Sequence, residues 1–158
     1  MSTNTLLEKH RPARVLLVED NPGDAILTRR AFEKSKIANQ LSVVTTGEQA
    51  VAMLRKEGDY ANTEMPDIIL LDLNLPQMSG QDVLKFIKDS PDFRHIPVII
   101  LSSSSAEQDV VKSYNLHANG YVVKPVKLET FSEIINKLEA FWFTLVVMPD
   151  FDDIKTTS

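Results

Sequence analysis

Five short runs of apolar, largely β-branched residues punctuate the chain: "RVLLVED" (14–20), "QLSVVTT" (40–46), "DIILLD" (67–72), "PVIILSSSS" (97–105) and "GYVVKP" (120–125). Near-continuous hydrophobicity of this kind marks strands covered on both faces. Between the runs the period changes. Ala50, Val51 and Leu54 share a helical face, as do Val83, Leu84 and Ile87. The clearest stripe is Leu128, Phe131, Ile134, Ile135, Leu138 and Phe141, recurring at spacings of three and four. Pro22 to Lys36 also reads as a helix, with Asn21 as its cap and Pro22 tolerated in the first turn. Strands alternating with helices demand right-handed βαβ crossovers and a parallel sheet. The expected fold is therefore α/β, a doubly wound (βα)5 unit with a five-stranded parallel sheet.

At 158 residues the chain has the length of one domain, and a hydrophobic fraction of 43% is sufficient for a real core. The expected organisation is a flexible lead over residues 1–13, a folded unit over 14–142 and an extension over 143–158. A net charge of −5 argues against a nucleic-acid footprint, which is usually basic. The absence of cysteine excludes disulfides, thiol catalysis and thiolate metal sites. His10, His95 and His117 are scattered without ligand spacing. The opening "MSTNTLLEKHRPA" lacks the apolar centre of a signal peptide, and every apolar run falls short of the ~20 residues that span a bilayer. A soluble, cytoplasmic protein that binds neither nucleic acid nor membrane is the expectation.

In open parallel sheets, ligands bind beyond the carboxyl ends of the strands. Those ends read, in order, Glu19 and Asp20, then Asp72, Ser102 and Lys124, while the second strand adds only Thr45 and Thr46. Singly, each has a bland reading. Asp20 could cap the following helix, Ser102 opens a serine loop, and Lys124 could be any exposed lysine. Together they bring three acids, a hydroxyl and an ammonium to one rim. Crowded carboxylates repel one another unless a cation intervenes. Donors that are all oxygen favour a hard ion, Mg²⁺ or alternatively Mn²⁺. Such an ion keeps waters that a phosphate oxygen can displace; Lys124 would neutralise a second phosphoryl oxygen and Ser102 would donate to a third. A carboxylate can itself be the nucleophile, giving an aspartyl phosphate, and Asp72 is flanked by all the others.

The stretches "LLVEDNPGD", "ILLDLNLPQMSG", "VIILSSS" and "GYVVKP" resemble, in order and approximate spacing, the receiver domain of two-component response regulators. The resemblance covers about residues 12–142. It implies a flavodoxin-like strand order of 2-1-3-4-5, with Asp72 as phosphoacceptor. Asp20 and Asp72 would bind Mg²⁺ directly, the backbone carbonyl of Asn74 would complete the protein ligands, and Glu19 would act through water. Ser102 falls at the family's switch hydroxyl and Lys124 at its phosphate-binding lysine. Tyr121 falls at the aromatic switch position, whose ring turns inward on activation. The bond corresponding to Lys124–Pro125 is cis in this family. Gly80, after "PQMS", relieves crowding where the loop enters the next helix.

A closer likeness, in "GDYANTEMPDIILLDLNLP", "SYNLHANGYVVKPV" and "FWFTLVVMP", is to single-domain regulators paired with phytochrome-type histidine kinases of cyanobacteria and related bacteria. It implies a sensor histidine kinase as partner, of phytochrome type, and an unknown downstream protein. The chain would be a phosphoacceptor that catalyses its own phosphorylation from the kinase phosphohistidine, and its own dephosphorylation. Aspartyl-nucleophile phosphatases need a second acid two residues after the nucleophile, where this chain has Asn74. An FMN carrier would want donors after the first strand, where Glu19 and Asp20 repel phosphate. A phosphorylation-independent adaptor remains open as the alternative.

With no second domain in this reading, the signal leaves through protein contacts. In "FWFTLVVMP", Trp142, Phe143, Val146 and Val147 either cover the last helix or form a homodimer contact, and the likeness favours the homodimer. Removing residues 143–158 is expected to lower the mass measured by light scattering from dimer to monomer. A dimer mass retained after the deletion would refute a tail interface.

Overall fold

A computed structural model describes residues 11–35, 38–113 and 117–130. Nine elements alternate in it: β1 (Ala13–Val18), α1 (Pro22–Glu33), β2 (Asn39–Val44), α2 (Gly47–Leu54), β3 (Ile68–Asp72), α3 (Gly80–Asp89), β4 (Val98–Ser102), α4 (Ser105–Ser113) and β5 (Gly120–Val123). A 3₁₀ turn at Gly58–Tyr60 precedes β3. Residues 128–130 are helical; the rest of the stripe that runs to Phe141 lies outside the described residues. So do residues 1–10 and the extension with Trp142, Phe143, Val146 and Val147. Among the described residues, no helix is long and apolar enough to cross a membrane.

The five strands are all parallel, in the order β2-β1-β3-β4-β5. This is the expected doubly wound, flavodoxin-like sheet. Every residue of β3 and of β4 is buried. Their side chains alternate between two cores, as a period of two requires. Leu17, Ile68, Leu70, Ile99 and Leu101 pack with Ala31 and Phe32 of α1. Leu16, Ile69, Leu71, Val98 and Ile100 pack on the other face with Leu54 of α2 and Val83, Leu84 and Ile87 of α3. Two-sided cover explains why these strands read as unbroken apolar runs.

Two sequence expectations shift. The run at 40–46 was expected to be covered on both faces, yet β2 exposes Gln40 and Ser42 and fully buries only Val44. It is an edge strand with β1 on one side, so half its backbone and alternate side chains face outward. The first helix ends at Glu33 rather than Lys36, with Lys34 as its C-cap. Its start is as expected: Asn21 Oδ1 accepts the Asp24 N–H at 3.0 Å.

At the amino end of the sheet, the Arg11 guanidinium forks onto both oxygens of Asp67 at 2.6 Å each, and Asp67 also accepts the Arg14 N–H at 2.8 Å. At the carboxyl end, α3 begins directly on top of β3. A Cβ placed on Gly80 would lie 2.3 Å from the carbonyl oxygen of Asp72. Backbone cannot retreat as a flexible side chain can, so the site requires glycine. Gly80→Ala is expected to destabilise the protein by about 1–3 kcal/mol in denaturant titrations. Wild-type stability in that variant would show that α3 does not pack this closely on Asp72.

Candidate functional site

β1, β3, β4 and β5 bring Glu19, Asp72, Ser102 and Lys124 to one rim because they are parallel and in step: Val18 pairs with Leu71, Asp72 with Leu101, and Ser102 with Val123. Glu19 follows β1, Asp72 ends β3, and both are buried at 1% exposure. Asp20 is exposed beside them. One carboxylate oxygen from each of Glu19, Asp20 and Asp72 lies within 4.8 Å of the others. Asp72 Oδ1 accepts the Asn74 N–H at 3.0 Å, and Glu19 Oε2 accepts the Asn21 N–H at 3.2 Å.

Lys124 enters from β5. Its N–H donates to the Ser102 carbonyl at 2.8 Å, which sets where the side chain starts. Nζ then reaches Asp24 Oδ2 at 2.9 Å, Glu19 Oε1 at 3.1 Å and Asp72 Oδ2 at 3.3 Å. Burial alone would lower its pKa, but the hydrogen bond to Asp24 and the charges of Asp72 and Glu19 outweigh it, so the ammonium is held well above its ordinary value. Burial, followed by the hydrogen bond and charge of Asp72, pushes the Glu19 carboxyl up from 4.5 to about 7. Three acids, Glu19, Asp24 and Asp72, thus share the Lys124 ammonium, and Asp20 lies beside Glu19 and Asp72. That surplus of negative charge, offered by oxygen donors alone, fits a hard divalent cation.

The remaining predicted residues take up separate places. Ser102 is fully buried, and its Oγ donates to the Ser104 carbonyl at 3.1 Å. The hydroxyl is therefore engaged with its own loop. Tyr121 is half-buried on β5, its phenol pKa raised by burial, with Lys112 Nζ 4.9 Å from the ring centroid. The Lys124–Pro125 bond is cis. Asn74 is exposed, and its Nδ2 donates to Glu107 Oε2 at 3.0 Å.

Two residues that touch the site's side chains carry no strand-end signal in the sequence. Asp24 makes the shortest contact to Lys124, but it sits in the first turn of α1, where the helix dipole alone accounts for an acid. Glu107 accepts from Asn74 and from both the N–H and hydroxyl of Ser103, the latter two at 2.8 Å. These bonds, that from Asn74 foremost, hold its pKa below the ordinary value. A signal for it existed: Ser104 and Glu107 stand in the S-x-x-E spacing of a capping box.

Comparison with known proteins agrees with this geometry. Residues 15–136 match the family model described as the response regulator receiver domain. Response regulator Rcp1 of Synechocystis sp. is 39% identical over 142 residues, covering 90% of this chain and 97% of Rcp1. Its solved Mn²⁺-bound form superimposes with a TM-score of 0.69 at 40% identity, covering 87% of this chain and 99% of that one. The bacteriophytochrome response regulator AtBRR gives a TM-score of 0.78 at 45% identity, covering 84% and 96%. The phosphorylated cyanobacterial phytochrome response regulator RcpA gives 0.70 at 42% identity, covering 85% and 99%.

The raised Glu19 pKa has a sign. Between 4.5 and about 7 the folded protein holds a proton that the unfolded chain has released. Stability of the metal-free protein is therefore expected to fall as pH rises from about 5 to about 8, a limb that Glu19→Gln flattens. Urea titrations in chelator check this; identical pH profiles for the two proteins would contradict it.

Proposed function

The chain belongs to the response regulator receiver family, and we propose that it is a phosphorylation switch whose Asp72 accepts a phosphoryl group from a sensor histidine kinase of phytochrome type. The observation that carries the reading is the position of Lys124 Nζ, 3.3 Å from Asp72 Oδ2, beside the acidic cluster of Glu19, Asp20 and Asp72. Relatives described as a Mn²⁺-bound regulator, a phosphorylated regulator and a bacteriophytochrome regulator support it.

In this reading the carboxylates of Asp20 and Asp72 and the backbone carbonyl of Asn74 hold Mg²⁺ or Mn²⁺, with Glu19 acting through water. A cation bound there offsets the charge on the phosphoryl oxygens. An Asp72 oxygen forms a bond to phosphorus while the bond from phosphorus to the kinase imidazole breaks; the imidazole nitrogen keeps the electron pair and takes up a proton. Lys124 stays close to Asp72 and pairs with a phosphoryl oxygen as a point charge. Ser102 exchanges the Ser104 carbonyl for another phosphoryl oxygen, its loop shifts, and the Tyr121 ring follows. Hydrolysis of the acyl phosphate, aided by the same groups, resets the switch. The receiver unit, expected over 14–142, takes in Ala13 of β1 and the Arg11–Asp67 pair as well; Trp142, Phe143, Val146 and Val147 give a homodimer contact, and the signal passes to a downstream protein.

Incubation with Mg²⁺ and a small phosphodonor should yield one phosphoryl adduct by intact mass, stable in acid and labile in base. Asp72→Asn should yield none. No adduct on the wild type, or the same adduct on the variant, would overturn the reading.

A further inference from the structure

Glu107 occupies the first turn of α4, and its carboxylate joins two loops that carry the neighbours of Asp72. Oε2 accepts from Asn74 Nδ2 at 3.0 Å, two residues beyond Asp72. Oε1 accepts from Ser103 N and Oγ at 2.8 Å, one residue beyond Ser102. Its own N–H meets Ser104 Oγ at 3.3 Å. An ordinary capping box would return the carboxylate to the N–H of the capping residue itself. Here it reaches one residue further back, and its second oxygen holds a different loop. Capping of α4 does not require that second bond.

The bond has a consequence for Ser102. Its hydroxyl is engaged by the Ser104 carbonyl at 3.1 Å, and Glu107 holds that loop twice: its carboxylate accepts the Ser103 N–H, and its own N–H donates to Ser104 Oγ. While the 103–104 loop keeps this position the Ser104 carbonyl holds the Ser102 hydroxyl, and turning toward Asp72 breaks that bond. A groove of about 330 Å³ lined by Leu73, Asn74, Ser79, Gln81, Glu107 and Val110 leaves the Asn74 side chain room to swing once freed. At the far end of the same helix, Lys112 Nζ lies 4.9 Å from the centroid of the Tyr121 ring.

We propose that Glu107 is a positioning residue, a latch that ties the loop after β3 to the loop after β4 and holds Ser102 in the unphosphorylated arrangement. This rests on the phosphorylation reading given above. Phosphoryl binding must break the latch, so the latch opposes the activated state and sets how much of the chain switches at a given level of phosphorylation.

Beryllofluoride with Mg²⁺ is the probe, as a phosphoryl mimic that needs no kinase, with binding followed by calorimetry. Glu107→Ala is expected to tighten apparent beryllofluoride affinity about fivefold or more. Glu107→Gln should tighten it less, because the amide oxygen still accepts one of the bonds. Mg²⁺ alone should bind all three proteins alike. Both gains should persist at about 0.5 M salt, where screening reduces the Debye length to a few Å. A gain that disappears in salt would reduce Glu107 to simple charge repulsion and refute the latch. A matching gain in Mg²⁺ affinity would also refute it. Should Glu107→Ala not fold, the glutamine variant decides: unchanged or weaker binding refutes the latch. A wild type that takes up no beryllofluoride would overturn the phosphorylation reading and the latch with it; wild-type binding with indifferent variants overturns the latch alone.

Discussion

Lys124 Nζ lies within 3.4 Å of carboxylate oxygens from Glu19, Asp24 and Asp72, three acids on two strand ends and a helix start. Without that ammonium, two acids at 1% exposure would face each other with no opposing charge. Buried carboxylates in that position take up protons or force the loops apart. The ammonium therefore permits the acids to sit at the end of an apolar sheet. The acids in turn hold it beside Asp72, where it makes the site a receptor for further negative charge. Even so the balance is incomplete, and the residual negative charge is what a divalent cation would meet.

The rest of the fold serves to keep this cage rigid. β3 lies at the centre of the sheet, buried on both faces, and carries Asp72 as its last residue. Dense packing on both sides leaves little freedom for the backbone at that point. Gly80 brings α3 directly onto the Asp72 carbonyl. The loops are different. They are joined by side-chain bonds from Asn74, Ser103 and Glu107, which can exchange partners at far lower cost than a packed core can rearrange. A fixed carboxylate surrounded by exchangeable loop contacts is the arrangement that the proposed switch needs.

The places where sequence reading fell short have physical reasons. In β2, Gln40 and Ser42 alternate with Leu41 and Val43, a local sign of one open face, but only its single neighbour β1 makes it an edge strand. Asp24 looks like a first-turn acid favoured by the helix dipole, and it is one. That it also makes the shortest contact to Lys124 depends on a distance across a hundred residues of chain. Glu107 fits a capping pattern, yet nothing local indicates that its second oxygen reaches the loop after β3.

By itself the sequence determined the α/β class, the strand segments and the identities of the residues at their ends, because hydrophobic periodicity and strand-end chemistry are local properties of the chain. Strand and helix boundaries followed to within a few residues for the same reason, as with Asn21 capping α1. Tertiary structure alone decided which acid holds Lys124 most closely, that Ser102 is turned to Ser104 rather than to Asp72, and that Asn74 and Ser103 share one carboxylate. Those are choices among several nearby partners, and they depend on how separate loops and strand ends are placed against one another, which no pattern along the chain encodes.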